Sequence, residues 1–101
     1  MKLRYTPRAM ADLQEIDDYI RNKLMNPDAA ERITAAILTD ASRLKDNPSL
    51  GLDLSRKTGR EIVGRGLVSG KYLIIYDTDD RISILRILDT RVDFMRRIGT
   101  W

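Results

Sequence analysis

Residues 71–88 read KYLIIYDTDDRISILRIL, two apolar runs on either side of Thr78-Asp79-Asp80, and the fold turns on how they pair. Both runs are rich in the β-branched, leucine and tyrosine side chains that fill a pleated surface. The tandem acids between them favour a tight turn, because aspartate bonds readily to its own backbone. Residues 71–77 and 81–88 therefore read as the two strands of a hairpin. Apolar side chains fall on both parities of each strand, so both faces should be covered, as in the centre of a sheet.

Working upstream, Arg60-Glu61-Ile62-Val63, the Gly64-Arg65-Gly66 break and Leu67-Val68 read as another strand, bulged at its glycines. Ser69-Gly70 turns it into the hairpin, which makes an antiparallel meander. Downstream, Thr90 can cap a short last helix carrying Val92, Met95 and Ile98, with Asp93 at the third helical position in a shortened capping box.

The first half of the chain carries the helical period instead. After a strand-like Lys2-Leu3-Arg4-Tyr5, Thr6-Pro7 supplies a cap and a proline at the first helical position. Ala9, Leu13, Ile16, Ile20 and Leu24 then recur at spacings of three and four, marking one buried stripe. Asn26-Pro27-Asp28 repeats the start signal, and Ala30, Ile33, Ile37, Ala41 and Leu44 mark a second stripe that ends at Asn47-Pro48. So short a connection favours antiparallel neighbours, so residues 7–46 should form a helical hairpin. Residues 48–59, PSLGLDLSRKTG, come next as a loop. The expected architecture is α+β, one domain over residues 1–101: an antiparallel helical hairpin packed on a small antiparallel sheet, with a short C-terminal helix.

Composition narrows the chemistry. The chain has 101 residues, neither cysteine nor histidine, and a net charge of +3. A disulfide framework and thiolate catalysis are excluded, and the commonest metal ligand is missing, so neither metal nor cofactor is expected. No apolar run approaches signal-peptide or membrane-spanning length, which makes the cytoplasm the expected compartment. The cationic excess lies in residues 51–101, which hold ten basic and seven acidic side chains. It is densest between Leu54 and Lys71, where Arg56, Lys57, Arg60, Arg65 and Lys71 face Glu61 alone, a patch suited to nucleic acid or to an acidic peptide. Arg86 stands out in the middle of the most apolar strand, two residues from Ile84 and from Leu88 and so expected on the same face as both. A charge there must open onto a ligand or pair with a carboxylate such as Asp77 or Asp89. An RNA-cleaving site would have to draw its base from Tyr72, Tyr76, Lys57, Lys71 or the carboxylates, and a tyrosine or lysine needs a strongly lowered pKa for that.

Five segments in order, TPRAMADLQEIDDYI, NPSLG, GREIV, KYLIIYD and ISILRILDTRVD, resemble the RelE/ParE superfamily of toxins from bacterial type II toxin–antitoxin modules. Its RelE-type members are ribosome-dependent mRNA endonucleases, and its ParE-type members poison DNA gyrase. The nuclease set implied by the resemblance would here be Arg65, Arg86, Arg91 and Tyr72. Leu73 stands where an arginine is required, and no tyrosine or histidine lies near the C-terminus. The resemblance therefore favours a ParE-like toxin with no catalytic residues. It implies a cognate antitoxin and DNA gyrase as partners, the alternatives being ribosome and mRNA or a degenerate member that binds only antitoxin. Arg56, Lys57, Arg60, Arg65, Arg86, Arg91, Arg96 and Arg97 form the expected binding surface for target or antitoxin.

Overall fold

The computed structural model describes residues 1–55 and 64–91. Thr6 and Asn26 cap their helices as the sequence expects, their side-chain oxygens accepting from the Ala9 and Ala29 amides at 3.1 Å. Helix α1 spans Pro7–Asp18 and α2 spans Pro27–Ser42, each with proline in its first turn. Loss of the Asn26 cap in Asn26→Ala is expected to cost about 1 kcal/mol in urea unfolding. Thr6→Ala should cost more, because the Thr6 hydroxyl also donates to the Leu85 carbonyl at 3.3 Å.

Strands β1 (Leu3–Tyr5), β2 (Leu52–Asp53), β3 (Arg65–Ser69), β4 (Tyr72–Thr78) and β5 (Ile82–Asp89) form one sheet in the order β1-β5-β4-β3-β2. The meander is antiparallel from β2 through β5. The expected all-antiparallel sheet is corrected at its edge, where β1 lies parallel to β5 with Leu3 opposite Ile82 and Tyr5 opposite Ile84. Parallel neighbours cannot be joined by a tight turn, and here the whole of the intervening chain separates them, so the turn rules that set the meander do not apply. The expected strand over residues 60–63 and the C-terminal helix over residues 92–101 lie outside the described residues, whereas Arg65–Ser69 forms β3 in unbroken register with β4, so the bulge expected at the glycines does not fall at Arg65 or Gly66 and Ser69 belongs to the strand.

Two departures from regular period rearrange the expected faces. After Asp18 the first helix widens into a π turn over Tyr19–Lys23, with the Leu24 amide reaching the Tyr19 carbonyl at 3.0 Å. An extra residue in the turn rotates the chain beyond it, so Leu24, expected as the end of the buried stripe, is 55% exposed. In the sheet, Ile75 pairs with Arg86 but Tyr76 pairs with Ile84, leaving Leu85 as the extra residue of a bulge. Beyond it the alternation shifts. Ile82, Ile84 and Ile87 join Tyr72, Ile74 and Tyr76 under the helices with Ala9, Ile37 and Leu44. Leu88 instead joins Leu54, Leu73 and Ile75 in a second cluster, against which Leu85 packs. Ile84 and Leu88 thus belong to different clusters, a correction to the shared face expected around Arg86.

The Arg86 guanidinium turns to α1. It donates to both oxygens of Asp12, from Nε at 2.7 Å and Nη2 at 3.1 Å, and Asp12 also accepts the Ile87 amide at 2.9 Å. Strand β1 ends opposite Ile84, so the edge of β5 beyond it would be open to a stray strand. Asp12 closes it. Among the described residues no helix is long and apolar enough to cross a membrane.

Candidate functional site

The helical hairpin and the β3–β4 turn leave a groove of about 460 Å³ between them. Its floor is apolar, with Ile20 from the π turn and Ile33 and Ile37 from α2. Its rim is aromatic and cationic: Tyr19, Tyr72, Arg32, Lys71 and Arg91 all line it. The one acid on the rim among the described residues, Asp40, is already engaged, accepting from the Ser69 hydroxyl at 2.6 Å and lying 3.9 Å from Arg43.

Local chain chemistry sets this rim. Gly70 takes φ +59° in the two-residue turn that projects Lys71, a conformation open to glycine at no steric cost. The Thr90 amide and hydroxyl both donate to the Lys71 carbonyl, at 3.0 and 2.9 Å, and so bring the end of β5 against that turn. The helix that Thr90 is expected to cap lies outside the described residues. Asp89 then accepts the Arg91 amide at 2.8 Å and its guanidinium at 3.0 and 2.7 Å, which orients Arg91 along the groove.

The Arg91 hydrogen bond holds the Asp89 carboxyl below the ordinary carboxylate range, and the same bond raises the Arg91 guanidinium. A lowered carboxylate stabilises the fold above its unfolded pKa and loses that contribution as pH falls through the folded value. An NMR titration of Asp89 is expected to find its midpoint below about 3.9, and Arg91→Gln should move it back up.

The four residues of the implied nuclease set are not gathered. Arg65 stands opposite Tyr76, while Arg91 sits on the groove with Tyr72, four strand positions or about 13 Å further along β4. Arg86 is 3% exposed and committed to Asp12, so its expected place on a binding surface is corrected to a buried structural pair. Burial pushes both the Tyr72 and the Tyr76 hydroxyl above the ordinary tyrosine pKa, the opposite of what a general base needs. Arg56, Lys57, Arg60, Arg96 and Arg97 lie outside the described residues. Of the expected surface, Arg91 is the residue that lines the groove. Tyr19 and Arg32 carry no signal in the sequence, since their recruitment depends on the π turn and on how α2 faces the sheet. Lys71 stands out there as the last member of the basic patch and as a candidate base, Tyr72 as a candidate base.

What these features define is a small α+β domain with a preformed, positively rimmed apolar groove. Residues 3–94 match the family described as the ParE toxin of the type II toxin–antitoxin system parDE. The chain is 34% identical over 87 residues to "Putative toxin Y4kP" of Sinorhizobium fredii, across 86% of this chain and 85% of that protein. Its fold superposes with a TM-score of 0.72 on a chain of the chromosomal ParDE toxin–antitoxin system from P. aeruginosa, at 26% identity and covering 88% and 95% of the two chains. The chain belongs to the ParE toxin family.

Proposed function

We propose that this ParE toxin acts by binding DNA gyrase without covalent chemistry of its own, and that a cognate antitoxin neutralises it by filling the groove beside α2. The observation that carries the binding mode is the dispersal of the nuclease set: Arg86 is sealed against Asp12 and Arg65 is remote from Arg91. Phosphodiester cleavage needs a base, an acid and a charge stabiliser around one phosphate. Here a raised tyrosine hydroxyl and an arginine already shared with Asp89 are what stand together. Gyrase as the target follows from family membership, and the cytoplasm as the compartment follows from that target.

For the antitoxin, the groove supplies an apolar floor for a helix and cations for its acids, the usual recipe for a segment that folds as it binds. Two assays on purified toxin test the proposal. Loss of supercoiling by gyrase, relieved by antitoxin, is expected. Codon-positioned cuts in a translated message with supercoiling intact would overturn it in favour of a ribosome-dependent endonuclease. Inactivity in both assays beside an intact antitoxin complex would leave only the binding half.

A further inference from the structure

We infer that the Lys71–Arg91 end of the groove is a recognition site for a single carboxylate of the antitoxin, built from Arg91, Lys71 and the Tyr19 and Tyr72 hydroxyls. The inference rests on the proposal that the antitoxin occupies this groove. Tyr72 carries it furthest. Only 7% of its surface is exposed, and its hydroxyl has no hydrogen-bond partner among the described residues. Since no buried side-chain oxygen or nitrogen among the described residues lacks a partner, that hydroxyl must emerge into the groove. A nearly buried ring that presents one unpaired polar atom to a cavity is a recognition group waiting for a complement.

The charges around it identify the complement. Lys71 and Arg91 both line this end, and Asp89, paired with Arg91 at 2.7 Å, offsets only one of the two, leaving one unit of positive charge uncompensated here among the described residues. Arg91 uses Nε and Nη2 on Asp89, so three of its five donor hydrogens remain, about enough for one more carboxylate along its other edge. Tyr19 and Tyr72 line the same groove as Arg91, which opens two hydroxyl donors and the guanidinium onto one cavity. A carboxylate seated there accepts from Arg91 and from Tyr72 and neutralises the surplus charge. With an apolar floor alongside, its source is an acidic residue next to the apolar face of a helix. A nucleic acid phosphate would satisfy the charge but has no use for Ile20, Ile33 and Ile37.

The test uses full-length toxin and the antitoxin encoded beside it, with each antitoxin aspartate and glutamate changed singly to its amide. Arg91→Gln and Tyr72→Phe should each weaken the complex about tenfold or more, as expected for losing a charge-assisted hydrogen bond to a carboxylate. Against one antitoxin acid, and no other, these losses should fail to add. Arg91→Lys should restore part of the affinity, since charge survives while the fork is lost. Additive losses against every acid would overturn the inference, as would Arg91→Gln weakening a single-stranded RNA oligonucleotide while leaving the antitoxin untouched. Ala36→Trp separates this from the wider proposal, because Ala36 is exposed on the groove wall. If Ala36→Trp leaves the complex intact, the groove is not the antitoxin's seat. If it abolishes the complex but no acid couples to Arg91, only the carboxylate site falls.

Discussion

Arg86→Ala is expected to cost about 3–5 kcal/mol of folding stability, a large part of what a domain of this size possesses. The reason is Asp12. Its side chain is 5% exposed and that of Arg86 is 4% exposed, so truncating the arginine leaves a carboxylate sealed from water with only the Ile87 amide for company. The loss is chiefly the desolvation of the survivor and not the worth of the pair. Arg86→Met combined with Asp12→Asn should therefore recover much of it: asparagine still accepts the Ile87 amide through Oδ1, and no charge remains buried. Urea unfolding of the three proteins decides the matter. A loss under about 1 kcal/mol in Arg86→Ala would mean that Asp12 finds water or another cation. Antitoxin affinity, corrected for the folded fraction, should be unchanged in the double variant, because neither side chain lines the groove.

The difficulty of placing Arg86 from sequence shows where pattern reading stops. Periodicity locates both helices and strands β3 to β5 because each rests on local rules: proline and a cap at a helix start, aspartates in a turn, apolar period along a face; the two-residue β2 lies within residues 48–59, which read as a loop. Asp12 sits on the polar side of the α1 pattern, and nothing local says that this side meets β5 far along the chain. The Leu85 bulge and the π turn at Tyr19 each add one residue to a period, and tertiary packing selects both. One extra residue is enough to move Leu88 to the second cluster and Leu24 to the surface. The groove shows the same division. Arg91 can be suspected from charge alone, whereas its orientation depends on Thr90 meeting Lys71 across the β4–β5 hairpin. Tyr19 enters the rim only because the helix widens beneath it.

Gly51→Ala is expected to be the second most damaging single change, at about 3 kcal/mol from overpacking together with strained hydrogen bonds. A Cβ on Gly51 would lie 2.7 Å from both Cε1 and the hydroxyl of Tyr76 and 2.9 Å from the Gly66 carbonyl, and both neighbours belong to the sheet. That hydroxyl cannot simply yield. It accepts the Gly51 amide at 2.8 Å and donates to the Pro48 carbonyl at 2.8 Å, holding the loop after α2 against the sheet. Tyr76→Phe removes both bonds and should cost about 1–3 kcal/mol, the penalty for leaving buried backbone groups unpaired. Combining the two changes removes one of the three close contacts along with the hydroxyl, so the double variant should lose less than the sum, by about 0.5 kcal/mol or more. Simple additivity in urea unfolding would refute the shared contact. Alkali supplies an independent reading. Burial raises the Tyr76 pKa above 10.0, so its stabilisation is complete below the unfolded value and is lost as pH rises through the folded one. Tyr5 and Tyr72 are raised as well, and Tyr76→Phe should therefore flatten the alkaline fall in stability without abolishing it.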